Sequence, residues 1–226
     1  RIDDIREGAF RETHTPEYET VSAFGSLLLN GDSESILYIN ELLNRAGMDS
    51  ISAGHAVAFA IECFENGILT SEDTGGLQLA WGNTEAIVKL LKQMINREGL
   101  GDLLADGVKV ASEKIGNGSQ NYALHVGGQE PGLHDSRFDP MMGVHYCADP
   151  TPGKHTVGCF QYYNYVQLWN EVSWAPKISL YPKYEEYIAS SENATKSVAI
   201  SCYKQVIDGI GGCLFALTLG VHNWNP

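Results

Sequence analysis

Near its C-terminal end the chain reads Asp208-Gly209-Ile210-Gly211-Gly212-Cys213, an acid, a glycine-rich turn and a cysteine directly after the helix-like run Ala199–Ile207. Far upstream, Asn44-Arg45-Ala46-Gly47-Met48-Asp49 has the same layout: a polar residue, two spacers, glycine, one spacer and an acid. Glycine lets backbone N–H groups face an anion or a heterocycle, and a flanking Asp accepts from N–H donors. Two such turns suggest a ligand held from two sides. Taken singly, each also describes an ordinary helix ended by glycine and followed by a capped one.

Other residues add possible chemistry. Glu17 and Glu19 lie two apart, so an extended segment would put both on one face, and a buried carboxylate there could relay protons. A solvated acidic turn is the plainer reading. His155 follows the Pro/Gly loop Pro150-Thr151-Pro152-Gly153-Lys154, and its ring could exchange a proton near neutral pH. His134, beside Asp135, and His145 have weaker claims. Cys213 sits where a turn offers its sulfur to exposed N–H groups, which suits an iron–sulfur or zinc ligand. One cysteine cannot hold a cluster, and Cys63, Cys147, Cys159 and Cys202 show no CxxC spacing. On these residues alone Cys213 reads as structural, or as a ligand whose partners lie elsewhere.

Helices must position these residues. Asp32-Ser33 starts one that Gly47 ends, with Ile36, Ile39 and Leu43 on one face. Ser50 is expected to cap Ile51–Glu65, which is apolar nearly all round and therefore reads as buried. Leu77–Trp81 is a short strand or an extended connection. Asn83 caps Thr84–Glu98, and one further helix is expected over Asp102–Ile115. The Gly116–Gln120 linker divides two helical domains, 1–120 and 121–226. In the second, an aromatic stretch (Phe160, Tyr162, Tyr163, Tyr165, Trp169, Trp174) precedes helices at Tyr184–Ser190 and Asn193–Ile207. The fold class is mainly α.

Composition bounds the function. The chain has 226 residues, 43% apolar and 19% charged, so it can build a core. A formal net charge of −13 argues against nucleic acid or an anionic membrane as partner. No apolar run reaches the roughly 20 residues of a membrane span. Five cysteines without close pairing favour a reducing, cytoplasmic setting. The ends, Arg1-Ile2-Asp3-Asp4 and Trp224-Asn225-Pro226, read as cuts through something longer, truncated at the start of the first domain and the end of the second. No GxGxxG after a strand, P-loop, GxSxG elbow or HExxH occurs.

Several motifs in order resemble the aldehyde ferredoxin oxidoreductase family. They are Thr15-Pro16-Glu17-Tyr18-Glu19-Thr20, Gly47-Met48-Asp49-Ser50-Ile51-Ser52, Trp81-Gly82-Asn83, Arg97–Val108 and Asp208–Cys213. The resemblance runs from about Pro16 to Cys213 and is similar to the two helical domains, domains 2 and 3, of those tungsten- or molybdenum-pterin enzymes. It implies that Asn44, Gly47, Met48 and Asp49 bind one pterin of a bis-pterin cofactor, and Asp208, Gly211 and Gly212 the other. Cys213 matches the fourth ligand of a 4Fe-4S cluster whose other ligands would lie upstream of Arg1. Glu19 and His155 match the acid and the imidazole beside the metal.

The implied reaction turns an aldehyde and water into a carboxylic acid, with ferredoxin taking the electrons. His155 would activate water or polarise the carbonyl, and Glu19 would orient it and relay protons. Tyr18 and the aromatics after His155 are candidates for lining the substrate cavity. A homo-oligomer of the longer protein fits the resemblance. The isolated piece is expected to be inactive. Asn44 stands where the family has an acid, Met48 and Gly212 where it has Leu, and the loop before His155 differs. Reduction of acids or aromatic thioesters is the alternative within the superfamily; a helical scaffold without cofactor is the alternative outside it.

Overall fold

Asp32 accepts hydrogen bonds from the Glu34 and Ser35 amides, and from there a helix runs to Ala46. Among the described residues, side-chain caps of this kind also open the helices after Asp49, Asn83, Asp139 and Ser190. In this computed structural model, residues 13–151, 153–156, 163–164, 166–177 and 183–212 are described. The chain divides into two compact units, Arg1–Leu133 and His134–Pro226. Among the described residues the only extended pairing is the antiparallel bridge Val126–Gln129. The mainly helical expectation therefore holds. Among the described residues no helix is long and apolar enough to cross a membrane.

In the first unit, α1 (Tyr18–Val21) is a single turn that continues into a π-helical turn, Ser22–Ser26. Then come α2 (Ser33–Ala46), α3 (Ser50–Glu65), α4 (Thr84–Asn96), α5 (Leu100–Leu104) and α6 (Val108–Ile115). α3 is the centre of this unit. Ala53 through Ile61 are all buried, and the helix packs against α1, the π turn, α4 and α6. Its cap is Asp49, whose Oδ2 accepts from the Ser52 amide at 2.7 Å, one residue ahead of the expected Ser50. Gly54 admits the π turn: a Cβ there would stand 2.7 Å from Ala23 Cβ. Leu77–Ala80 forms neither helix nor strand.

The expected helix Asp102–Ile115 is two helices. The break at Ala105–Gly107 has a long-range cause. Gly107 adopts φ 87°, and the buried Glu130 carboxylate accepts the Val108 N–H at 2.7 Å, capping α6 from 22 residues away. α4 ends earlier than expected, with Arg97 in the left-handed region at φ 57° and its guanidinium on Asp106 and Asp102.

In the second unit, α7 (Pro140–Ala148) starts at Asp139 with Pro140 in the first turn. The stretch Lys183–Tyr187 is a 3-10 turn, shorter than the helix expected there. α8 (Ser191–Gly209) is capped by Ser190 Oγ on the Asn193 amide at 3.1 Å. α7 packs on α8, and the buried set includes Met141, Met142, Tyr163, Leu168, Ala199, Ile200 and Ile207.

Candidate functional site

The first Gly turn is built by the end of α2 and the start of α3. Gly47 is left-handed at φ 67°, and its N–H and that of Met48 bond back to the Asn44 and Leu43 carbonyls. A Cβ at Gly47 would meet nothing within 4 Å, so the space over the turn is open. Asn44, Gly47 and Asp49 are exposed and Met48 half-buried. One oxygen of Asp49 is spent on capping α3.

α1 adjoins this turn. Thr20 Oγ1 and Ser50 Oγ share a hydrogen bond of 2.8 Å. Glu19, next to Thr20, is only 2% exposed, and its Oε2 accepts the Leu133 N–H at 3.0 Å. Glu17 and Glu19 do not share a face. Glu17 is the exposed extended residue before α1, and Glu19 lies within it, because the segment turns helical instead of staying extended.

The second unit carries the other Gly turn and His155. The end of α8 leads into Gly211 at φ 76°, again with nothing within 4 Å of a Cβ, and the Gly212 N–H bonds to the Ile207 carbonyl. Asp208 is gripped by two lysines. Lys154 Nζ lies 2.8 Å from its Oδ2, and the buried Lys204 pairs with Oδ1. Burial pushes the Asp208 carboxyl up, but the two ammonium groups outweigh it and hold it below the usual carboxylate range.

His155 stacks on His134, ring centroids 4.8 Å apart and planes 12° from parallel. His134 is itself fixed through its backbone, whose carbonyl accepts from Tyr146 Oη on α7 at 3.3 Å. Asp135 is engaged by a neighbour in the chain. Its carboxylate is taken by Arg137 through Nε at 3.0 and 2.9 Å, which drives its pKa down to about 2. His145 sits buried on α7, away from this stack in role: burial pushes its pKa down against the pull of Asp149 and Asp139.

Cys213 lies outside the described residues, as do Phe160, Tyr162 and Tyr165. Tyr163 is fully buried against Trp169 and donates its hydroxyl to the Pro176 carbonyl, a core role. Tyr18 and Trp174 are exposed. Cys63 is buried with its thiol pushed up to about 11, so it is chemically quiet. Sequence reasoning overlooked the pairing of Lys154 and Lys204 with Asp208. The 204–208 spacing on one helix was a usable signal for Lys204; Lys154, 54 residues away, had none.

Residues 1–225 match the family model described as aldehyde ferredoxin oxidoreductase, domains 2 and 3. The chain belongs to the aldehyde ferredoxin oxidoreductase family. It is 34% identical over 164 residues to the aliphatic sulfonate oxidoreductase WOR-like subunit of Pyrococcus furiosus, covering 69% of this chain and 26% of that protein. It is 32% identical over 208 residues to the tungsten-containing aldehyde ferredoxin oxidoreductase of Pyrococcus horikoshii, covering 90% of this chain and 32% of that one. The chain thus spans about a third or less of these relatives' length. Among solved structures, it shares its fold with the active-site complex BamBC of benzoyl coenzyme A reductase. The TM-score there is 0.68 at 23% identity, over 96% of this chain and 39% of the other. The members of this oxidoreductase family include tungsten-containing enzymes.

Proposed function

We propose that this chain forms the two helical domains of a tungsten- or molybdenum-pterin oxidoreductase that converts aldehydes to carboxylic acids, with ferredoxin as electron acceptor. The observation that carries the reading is a parallel construction. In each unit the residue next to a candidate proton-transfer group makes a side-chain contact with a residue flanking an exposed left-handed glycine. Thr20, beside Glu19, bonds Ser50 after the Gly47 turn, and Lys154, beside His155, bonds Asp208 before the Gly211 turn.

On this reading Asn44, Gly47, Met48 and Asp49 would hold one pterin, and Asp208, Gly211 and Gly212 the other. Cys213 would be one ligand of a 4Fe-4S cluster completed by cysteines outside this chain. When bound, the metal-pterin group and the cluster supply two-electron redox chemistry. The net change is an aldehyde plus water giving a carboxylic acid, two protons and two electrons. The protons are the business of this chain. His155 accepts one from water, or donates to the carbonyl oxygen, since an imidazole can do either. Glu19, its orientation set by the Leu133 amide, passes protons on. Asn44 can donate as well as accept at a pterin edge, unlike an acid in its place.

The test is made on the product of the intact gene. Tungsten or molybdenum by mass spectrometry, a pterin released on oxidation, and ferredoxin-linked oxidation of a panel of aldehydes are the expected results. His155→Ala should cut turnover by about 100-fold or more with metal retained. A purified product free of both metals sinks the reading. Loss of metal in His155→Ala makes His155 structural instead.

A further inference from the structure

Three residues on one face of α8, Ser201, Lys204 and Asp208, stand at intervals of three and four. They cover about 10 Å of helix at 1.5 Å per residue. Along that face lies the loop that ends in His155. At its start, Asp149 Oδ2 accepts from Ser201 Oγ at 3.3 Å, while Asp149 Oδ1 accepts the Thr151 N–H at 2.8 Å. At its far end, Lys154 reaches Asp208. The loop is therefore strapped to α8 at both ends, and the second strap is the residue adjoining His155 in the chain.

We propose that Lys154 is a positioning residue, which sets His155 in register with the Gly211 turn by anchoring to Asp208. The inference rests on the reading of His155 as the acid–base group and of Asp208 as part of a cofactor turn. Three features carry it. Asp208 is shared: Lys204, only 5% exposed, holds one oxygen from the helix itself, leaving the other for the loop. The Asp208 carboxylate is a fixed, charged acceptor, so its partner is drawn to one place. Gly153, immediately before Lys154, is left-handed at φ 72°, so the loop turns at the point from which Lys154 reaches Asp208. Lys154 and Asp208 are 33% and 30% exposed, so the strap is partly screened by water, and removing Lys154 leaves Asp208 paired with Lys204.

The test uses the intact gene product carrying Lys154→Met, Lys154→Arg, Asp208→Asn, or Lys154→Met with Asp208→Asn. Hydrogen exchange is read over 149–156. Lys154→Met and Asp208→Asn should each raise exchange in the 153–156 segment by about tenfold, and the double variant by no more than either alone. Lys154→Met should lower kcat by about 10- to 100-fold with KM and metal content near wild type, and Lys154→Arg should recover most of it. Unchanged exchange in Lys154→Met, or additive effects in the double variant, overturns the strap. Raised exchange with unchanged kcat overturns the positioning role, as does a fall in metal content that matches the fall in rate. A wild-type product without metal or turnover sinks the cofactor reading alone, and the exchange measurements still decide the strap.

Discussion

Glu130 is buried with one oxygen on the Val108 amide, and that bond decides where α6 begins. Removing the carboxylate leaves a buried N–H with no acceptor. Glu130→Ala is expected to destabilise the first unit by about 2 kcal/mol in urea unfolding, the usual size of a lost cap plus an unsatisfied donor. A change under about 0.5 kcal/mol would mean that water replaces the acceptor. His145 offers a second test at this scale. It is buried, its Nδ1 is 3.9 Å from Asp149 Oδ2, and burial depresses its pKa despite Asp149 and Asp139. A histidine with a depressed folded pKa takes up its proton more readily once unfolded. Its contribution is therefore fully present above the unfolded value of about 6.5 and is lost as pH falls below that. His145→Leu should flatten the decline in unfolding midpoint between about pH 6.5 and 5. Parallel profiles for wild type and variant would remove His145 as the cause. Neither role was readable from the sequence, because burial and a partner 22 residues away leave no local mark.

Helices declared themselves where the cap and the apolar stripe lie within a few residues of each other. Asp32, Asn83 and Gly47 do in the fold what their types and positions suggest. The apolar run Ala53–Ile61 is buried on every side as its composition requires. What was hidden is whatever depends on contact between elements. α1 and its π turn carry no amphipathic stripe, and α7 was masked by a turn-rich, Met-bearing stretch. The approach of α5 to α4 is the sharpest case. A Cβ on Gly101 would stand 2.2 Å from the Gln93 carbonyl carbon, so this backbone contact is open to glycine alone. Gly101→Ala must push α5 off α4, and a loss of about 3 kcal/mol is expected, or failure to fold. Gly47→Ala is the control. Space there is open, and only the left-handed φ of 67° resists, for about 1–2 kcal/mol. If the Gly47 turn receives a pterin, Gly47→Ala should lose pterin from the intact gene product far beyond what that strain explains; unchanged pterin content would remove the turn from the site.

For the molecule as a whole, motif order was more informative than any single motif. Either Gly turn by itself describes a common helix ending, and only their succession with Glu19, Trp81-Gly82-Asn83 and the Arg97–Val108 stretch pointed to the family that residues 1–225 match. The fold also divides in a way that can be tested. The first unit is tied together by contacts distant in the chain, one of which joins its two ends. Leu133 donates to Glu19, Glu130 caps α6, and Asn40 Nδ2 donates to Thr13 Oγ1 and the His14 carbonyl. Among the described residues its core runs from Ala23 and Phe24 through Val57, Phe59, Leu90, Leu91 and Leu104 to Ala111, with Leu28, Leu69 and Leu79 added from the connections. A unit with that closure has what independent folding requires. Residues 13–133 expressed alone are therefore expected to unfold in one cooperative transition, with helical circular dichroism and no binding of a hydrophobic dye. Glu19→Gln or Glu130→Ala should lower its midpoint. A broad, non-cooperative melt with dye binding would mean that this core is completed by residues beyond 133.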